Sequence, residues 1–258
     1  MKKIIVRILY ILIASVSFAN EFYNGFDNSS FKSIVFKSLN KVSFYNDADD
    51  RPDDLWNNDF DYSLSNYEKA CILSINNENC IKRFYALKSD YCLILYDCET
   101  NECIFTGVSI SFNKTEGLFF PVFISATSEL REGNKVYSVQ NLSNFKSDSP
   151  WCEASENYGI GEKVRLSINA RKLVIISGYV SAKRIYLYED NSRPKIIVID
   201  FKKSKIQKEY ELKDTPSPQI IDFDGLFNEE IEIAIKDVYP GRKYKDTCIS
   251  TLFSVFLE

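Results

Sequence analysis

Lys163-Val164-Arg165-Leu166-Ser167-Ile168 places Val164, Leu166 and Ile168 on one face of an extended chain and Lys163, Arg165 and Ser167 on the other. Successive strand side chains point to opposite faces, so this alternation predicts a strand with one face in a core and the other in water. The next stretch, Leu173 to Gly178, is apolar on both faces, as in a central strand. Further strands are expected at Arg184–Tyr188, Lys195–Phe201 and Glu230–Ile235, the last alternating Ile231, Ile233 and Ile235 against Glu230, Glu232 and Ala234. Ile249, Thr251, Phe253, Val255 and Leu257 make one face of a final strand. Many short strands joined by polar loops, beginning near Leu118, predict a β-sandwich or jelly roll.

The N-terminal half reads differently. Ser65-Asn66-Tyr67-Glu68 fits a helix-capping box, which predicts a short helix to about Ile75 that ends in the asparagines at 76, 77 and 79. Tyr91–Asp97 and Ile104–Phe112 are rich in β-branched, Leu and aromatic residues, and the polar turn between them predicts a hairpin. The acidic run from Asn46 to Asp54 lacks the spacing and the turn glycine of an EF-hand and reads as a solvated loop. Residues 20–125 are therefore expected to form a small mixed α+β domain containing cysteines, followed by the jelly roll at 126–258.

The first nineteen residues have the form of an export signal. Lys2, Lys3 and Arg7 precede a short apolar run from Ile8 to Ala14, and Ser17 and Ala19 put small side chains where a signal peptidase reads. The run is too short to span a bilayer, and no later segment has the length of a transmembrane helix. The expected location is secreted or periplasmic. In such a compartment some of the seven cysteines should pair, and an odd number leaves at least one unpaired. Cys98 and Cys103 flank a turn between two apolar strands and are expected to join across it. Cys71 and Cys80 flank Asn76–Asn79 and are a second candidate pair.

Composition narrows function. There is no histidine, which removes the usual base of Ser and Cys hydrolases and the His ligands of zinc sites. The spacing of the cysteines matches no paired CxxC, so neither a metal nor another cofactor is expected. A net charge of −4, with Lys and Arg spread along the chain, argues against nucleic acid as a partner. An enzyme would have to rely on carboxylates, and Glu153 with Glu162 is the pair to consider. Gly159-Ile160-Gly161-Glu162 lacks the context of a nucleotide loop, and its glycines are better explained by a tight turn into the strand at 163.

An ordered set of motifs carries a resemblance. It comprises Tyr137–Leu142, Trp151-Cys152-Glu153, Gly159–Val164, Ser177-Gly178-Tyr179, Tyr188–Lys195 and Tyr239–Ser250. In this order and spacing the set resembles the discoidin-like F5/8 type C module named after the translocation domain of a NAD glycohydrolase, also described as an NADase-type glycan-binding domain. The resemblance covers about 120–258 and none of the N-terminal half. It implies a galactose-binding-like jelly roll that is not an enzyme, and a glycan or a cell-surface protein as partner. Three places differ from the family pattern: Ser143–Ser149 replaces a turn rich in Asp and Gly, Cys152 an aliphatic residue, and Ser177 an Asn.

Loops at one end of such a sandwich are the expected site, because a rigid sheet can position them while their side chains stay free. The candidates are Trp151 and Glu153 in one loop, Asn191 and Arg193 in a second, and Tyr239 and Lys243 in a third. Trp151 could stack on a sugar ring or anchor the core. Arg193 could give paired donors to a glycan, or pair with Asp246, as could Lys243, and pin two loops together. Asn191 and Tyr239 could equally serve as turn residues. The leading reading is an exported, non-enzymatic binding protein; the alternatives are an extracytoplasmic hydrolase working with carboxylates and a structural envelope protein without ligand.

Overall fold

The computed structural model describes residues 21–25, 33–38, 41–45, 60–67, 70–77, 80–89, 92–109 and 118–255. The expected export signal at 1–19 and the acidic run Asn46–Asp54 lie outside the described residues.

The N-terminal part is a closed antiparallel barrel, not a mixed α+β domain. Its strands are β1 (Glu21–Gly25), β2 (Ser33–Ser38), β3 (Lys41–Tyr45), β4 (Phe60–Tyr67), β5 (Ala70–Asn77), β6 (Cys80–Lys88), β7 (Cys92–Asp97) and β8 (Cys103–Ser109). They pair in chain order, and β1 closes on β8. The helix expected from Ser65 to Ile75 is instead the β4–β5 hairpin, with Tyr67 opposite Ala70 and Leu64 opposite Leu73. The capping box is a local signal. Against it stands a two-residue period: Tyr62 on β4 and Cys71, Leu73 and Ile75 on β5 are buried, all turned into the barrel. Pairing on both edges and burial of that face outweigh the cap. Phe36, Phe44, Phe84, Leu93, Leu95 and Phe105 fill the rest of the interior.

The C-terminal part is the expected jelly-roll sandwich. Its strands are β9 (Leu118–Phe119), β10 (Val122–Ala126), β11 (Arg131–Glu132), β12 (Lys135–Val136), β13 (Trp151–Cys152), β14 (Lys163–Ser177), β15 (Arg193–Phe201), β16 (Ile206–Glu211), β17 (Gln219–Tyr239) and β18 (Cys248–Val255). The main order is β13-β18-β14-β17-β15-β16, with β10 added on β14 and β9 on β18. Residues 163 to 177, read as two strands, are one strand with a bulge between Ala170 and Lys172. Before the bulge β14 pairs with β10; after it, with β18. A strand that changes neighbours at a bulge turns the corner between the layers of a sandwich. Val164, Leu166, Ile168, Leu173 and Ile175 face the core between them, with Ile197, Ile199, Ile231 and Ile233. Arg184–Tyr188 is not a strand: a short helix, α1 (Leu187–Asp190), begins there and Arg193 starts the next strand.

A third apolar cluster joins the two parts. Tyr85, Leu87, Cys92, Ile94 and Tyr96 point out of the barrel and pack on Phe145, Val174, Ile176, Val180 and Phe253 of the jelly roll. All six residues of β7 are buried: Leu93 and Leu95 inside the barrel, Cys92, Ile94 and Tyr96 against the sandwich, and Asp97 in the turn whose amides it accepts from. The second apolar face of Leu173–Gly178 finds its explanation here too. At the rim of this contact Asn101, in the β7–β8 turn, accepts hydrogen bonds at Oδ1 from Ser147 Oγ (2.7 Å), Ala182 N (3.1 Å) and Lys183 N (3.2 Å). Its Nδ2 donates to Asp148 Oδ2 at 2.7 Å.

The cysteine pairing expected from sequence is corrected. The disulfide among the described residues joins Cys152 of β13 to Cys248 of β18, opposite each other in the sheet with Cα atoms 4.3 Å apart. Cys71, Cys92, Cys98 and Cys103 are free. Asp97 Oδ1 accepts from Glu99 N and Thr100 N, which winds Cys98 into the turn, and the strand partner of Cys103 is Tyr96. Cys103 donates instead toward the Phe105 carbonyl, and burial pushes its thiol up to about 11. Cys71 pairs with Ala86 whereas Cys80 pairs with Asn77, so the two stand about 20 Å apart along the strands.

Candidate functional site

The three loops proposed as a site do converge at one end of the sandwich, and backbone hydrogen bonds hold them there. Glu153 N donates to Thr247 O (3.3 Å), Tyr244 N to Asp190 O (2.8 Å) and Cys248 N to Ser192 O (3.1 Å). The chain between β10 and β11 joins through Leu130 N to Cys152 O at 2.8 Å. Three glycines allow these close approaches. Gly241 lies against the backbone of Asp190 and Asn191, Gly159 (φ +72°) over Glu153, and Gly178 (φ +83°) against Tyr188 and Arg193; a Cβ on each would come within 2.8 Å of those residues.

Most of the named side chains, however, point inward. Trp151 is fully buried in the sandwich core, with its indole N–H donating to Ser128 O at 3.0 Å. Glu153 is also fully buried: Oε1 accepts from Thr247 N (2.8 Å) and Oε2 from Ser155 N (2.6 Å) and Ser155 Oγ (2.7 Å). Its counterpart in the hydrolase alternative, Glu162, is bound by the hydroxyls of Thr127 and Ser128. Asn191 is buried and donates to Leu187 O, which closes α1. Arg193 is buried and donates through Nε (3.0 Å) and Nη2 (2.8 Å) to the two oxygens of Asp214, and through Nη1 to the carbonyls of Glu189 and Asn191. Asp246 is thus not its partner. Tyr239 donates its hydroxyl to Leu212 O at 3.0 Å. Lys243 is exposed and lies over the Tyr244 ring, 4.9 Å from its centre.

Between the converged loops lies a crevice of about 100 Å³. Its walls include Asn191, Cys152 and Asp246, and otherwise residues that were not expected there: Glu132, Tyr137, Tyr179, Arg184, Leu187 and Tyr244, with Leu130. Tyr137, Tyr179, Leu187 and the disulfide form a small apolar cluster below it. The Tyr137 and Tyr179 rings meet edge to face at 6.0 Å. Tyr137 donates its hydroxyl to Glu132 Oε2 at 2.7 Å. Lys135 donates to Tyr179 Oη (3.0 Å) and to Asp148 O (2.9 Å), and Arg184 donates to Asp148 Oδ1 (2.9 Å). Asp148 also holds Asn101 of the barrel, so one carboxylate orders both the crevice wall and the barrel contact. Burial, and next to it the charge of Glu132, raises the carboxyl of Asp246 above its usual range. Tyr137, Tyr179, Tyr244 and Asp246 stand inside the quoted motifs, so position in a motif was a usable signal; nothing in the sequence points to Glu132 or Arg184.

No group of three or more potential metal-ligating side chains occurs among the described residues. No helix among them is long and apolar enough to cross a membrane. The buried disulfide is the chemistry of an oxidising, extracytoplasmic compartment.

A jelly roll whose loop end is tied into one crevice is a discoidin-like module. The NAD glycohydrolase translocation F5/8 type C domain matches residues 119–254, more than half of the chain, and the chain belongs to this family. The family is described as a translocation module, and the reading of the protein as non-enzymatic rests on that membership. No curated protein matches the chain. Among solved structures, it is similar to the family 32 carbohydrate-binding module from C. perfringens NanJ in complex with galactose. The identity is 16%, with 55% of this chain and 93% of that chain covered and a TM-score of 0.38. It is also similar to CpGH89CBM32-5 from Clostridium perfringens, in complex with GalNAc-β-1,3-galactose. There the identity is 14%, the coverage 55% and 95%, and the TM-score 0.38.

Proposed function

We propose that the protein is an exported binding protein whose discoidin-like module recognises a glycan at the crevice between its converged loops. The observation that carries this reading is the crevice itself, in which tyrosine rings and charged groups meet on a braced floor. An aromatic face covers the C–H face of a sugar, and flanking polar groups bond its hydroxyls. Tyr244 is the exposed ring of the set. Trp151, Glu153, Asn191, Arg193 and Tyr239 bond to the backbone and side chains that hold the loops, and the ammonium of Lys243 lies 4.9 Å from the centre of the Tyr244 ring.

A glycan array on the mature protein tests the reading. Tyr244→Ala should weaken an array hit about tenfold, as expected for one lost ring contact of about 1.4 kcal/mol, while the melt stays at the parent value. Unchanged binding would place the site elsewhere. Export belongs to the same reading: cleavage after Ala19 should leave Asn20 as the first residue in N-terminal sequencing, and a product retaining Met1 would refute it. Secretion and periplasmic retention are then separated by cell fractionation. We divide the chain into the signal at 1–19, an N-terminal unit and the module. Their junction is drawn before Leu118, because β9 and β10 pair with the jelly roll.

A further inference from the structure

We propose that the crevice selects glycans that carry a free amino group, with the ammonium held by Asp246 and Glu132. This rests on the glycan reading and names the chemical class of its ligand.

The first ground is the charge balance at the crevice. Several cations around it are already committed: Arg184, which lines it, to Asp148, Lys135 to Asp148 O and Tyr179, and Arg242 to Glu189. Lys243 lies on the Tyr244 ring, and Lys245 lies over the Tyr158 ring at 5.6 Å. Glu132 accepts one neutral hydrogen bond, from Tyr137. Among the described residues no other side chain bonds the carboxylate of Asp246, although Asp246 is half-buried. Among the described residues, then, neither of the two carboxylates that line the crevice has an ion-pair partner. A half-buried carboxylate without a partner is costly, and a ligand cation would relieve that cost through a charge-assisted hydrogen bond. An anionic sugar would meet the opposite sign.

The second ground is size. A space of about 100 Å³ corresponds to roughly three waters, too little for a whole sugar ring and enough for a substituent such as an ammonium group. The ring of the sugar would then rest outside, against Tyr244. An N-acetyl group in the same position would lose the charge and place a methyl group against carboxylates.

The test is titration calorimetry on the mature full chain with the β-1,4-linked glucosamine disaccharide, its N,N′-diacetyl form and a sialylated trisaccharide. The free-amine sugar should bind at least tenfold more tightly than the acetylated one, and added salt should narrow the gap. Asp246→Asn, which keeps the shape, should reduce the ratio to near one, and Glu132→Gln should reduce it in part. Equal affinities, tighter binding of the acetylated or sialylated sugar, or a ratio unmoved in Asp246→Asn would each overturn the inference and leave the glycan reading standing. Binding of no sugar, in the titrations and on the array alike, would overturn both.

Discussion

Arg193 shows how a motif residue can matter without touching a ligand. Its guanidinium meets Asp214 with both oxygens, caps two carbonyls at the end of α1, and stacks 5.1 Å from the Tyr188 ring. Arg193→Ala would take the charged partner from Asp214, which keeps only neutral help such as the Tyr188 hydroxyl, and would remove the guanidinium donor to those carbonyls. Breaking a buried pair from one side costs about 3 kcal/mol or more, so the midpoint of denaturant unfolding should fall markedly. An unchanged midpoint would show that the pair is not formed. The variant is accordingly a poor probe of binding, whereas Tyr244 and Asp246 carry little of the framework. The sequence marked Arg193, Asn191 and Glu153 as special but not which way they point. Direction depends on which partner, many residues away, arrives with matching polar groups, and Asp214 and Thr247 carry no local sign of that role.

At the scale of elements, one disulfide replaces the two short loops expected from spacing. Cys152 and Cys248 are separated by 96 residues, and β13 is held against β18 over only two paired positions, Trp151 with Ile249 and Cys152 with Cys248. Closing a loop of this length restricts the unfolded chain by up to about 4–5 kcal/mol in the chain-entropy model. Cys152→Ala should therefore lower stability by a few kcal/mol and make the melt insensitive to reductant. Non-reducing peptide mapping should recover the Cys152 and Cys248 peptides joined, and a Cys98–Cys103 peptide pair would contradict this arrangement. The departure of Cys152 from the family pattern was legible, and its meaning was not, because proximity along the chain favoured the wrong partners. The same bias toward the local produced the helix at Ser65–Ile75. A capping box is complete within four residues, while a barrel strand is stabilised by neighbours on both edges and by an interior that a local window does not contain.

For the whole molecule, the contact between barrel and jelly roll is the feature with the widest consequences. Ile94 and Tyr96 of β7 and Val174, Ile176 and Phe253 of the jelly roll are each less than 2% exposed, and separating the units would bare them all. Residues 118–258 expressed alone should keep a β-type far-UV spectrum but melt lower than the full chain and self-associate through this face. A fragment that melts as the full chain does, as a monomer, would show the contact to be idle. Asn101→Ala tests the rim of the same contact: it removes hydrogen bonds to Ser147, Asp148, Ala182 and Lys183 and should cost about 1–3 kcal/mol. Because Asp148 also holds Arg184, the variant should weaken glycan binding slightly as well as stability.

The sequence by itself determined that the C-terminal half is a β-sandwich of discoidin type. Alternation in β14 and β17 and an ordered set of turn motifs are properties of the chain, readable wherever the strands end up. It also showed that Leu173–Gly178 is apolar on both faces. Only the tertiary structure decided what covers the second face, that the N-terminal half closes into a barrel, which cysteines meet, and that the crevice is built from Glu132, Tyr179, Tyr244 and Asp246. The reason is the same in each case. Burial and alternation are fixed by a residue and its near neighbours, whereas a partner is chosen by closure of the sheets, which brings positions about a hundred residues apart within a few ångströms.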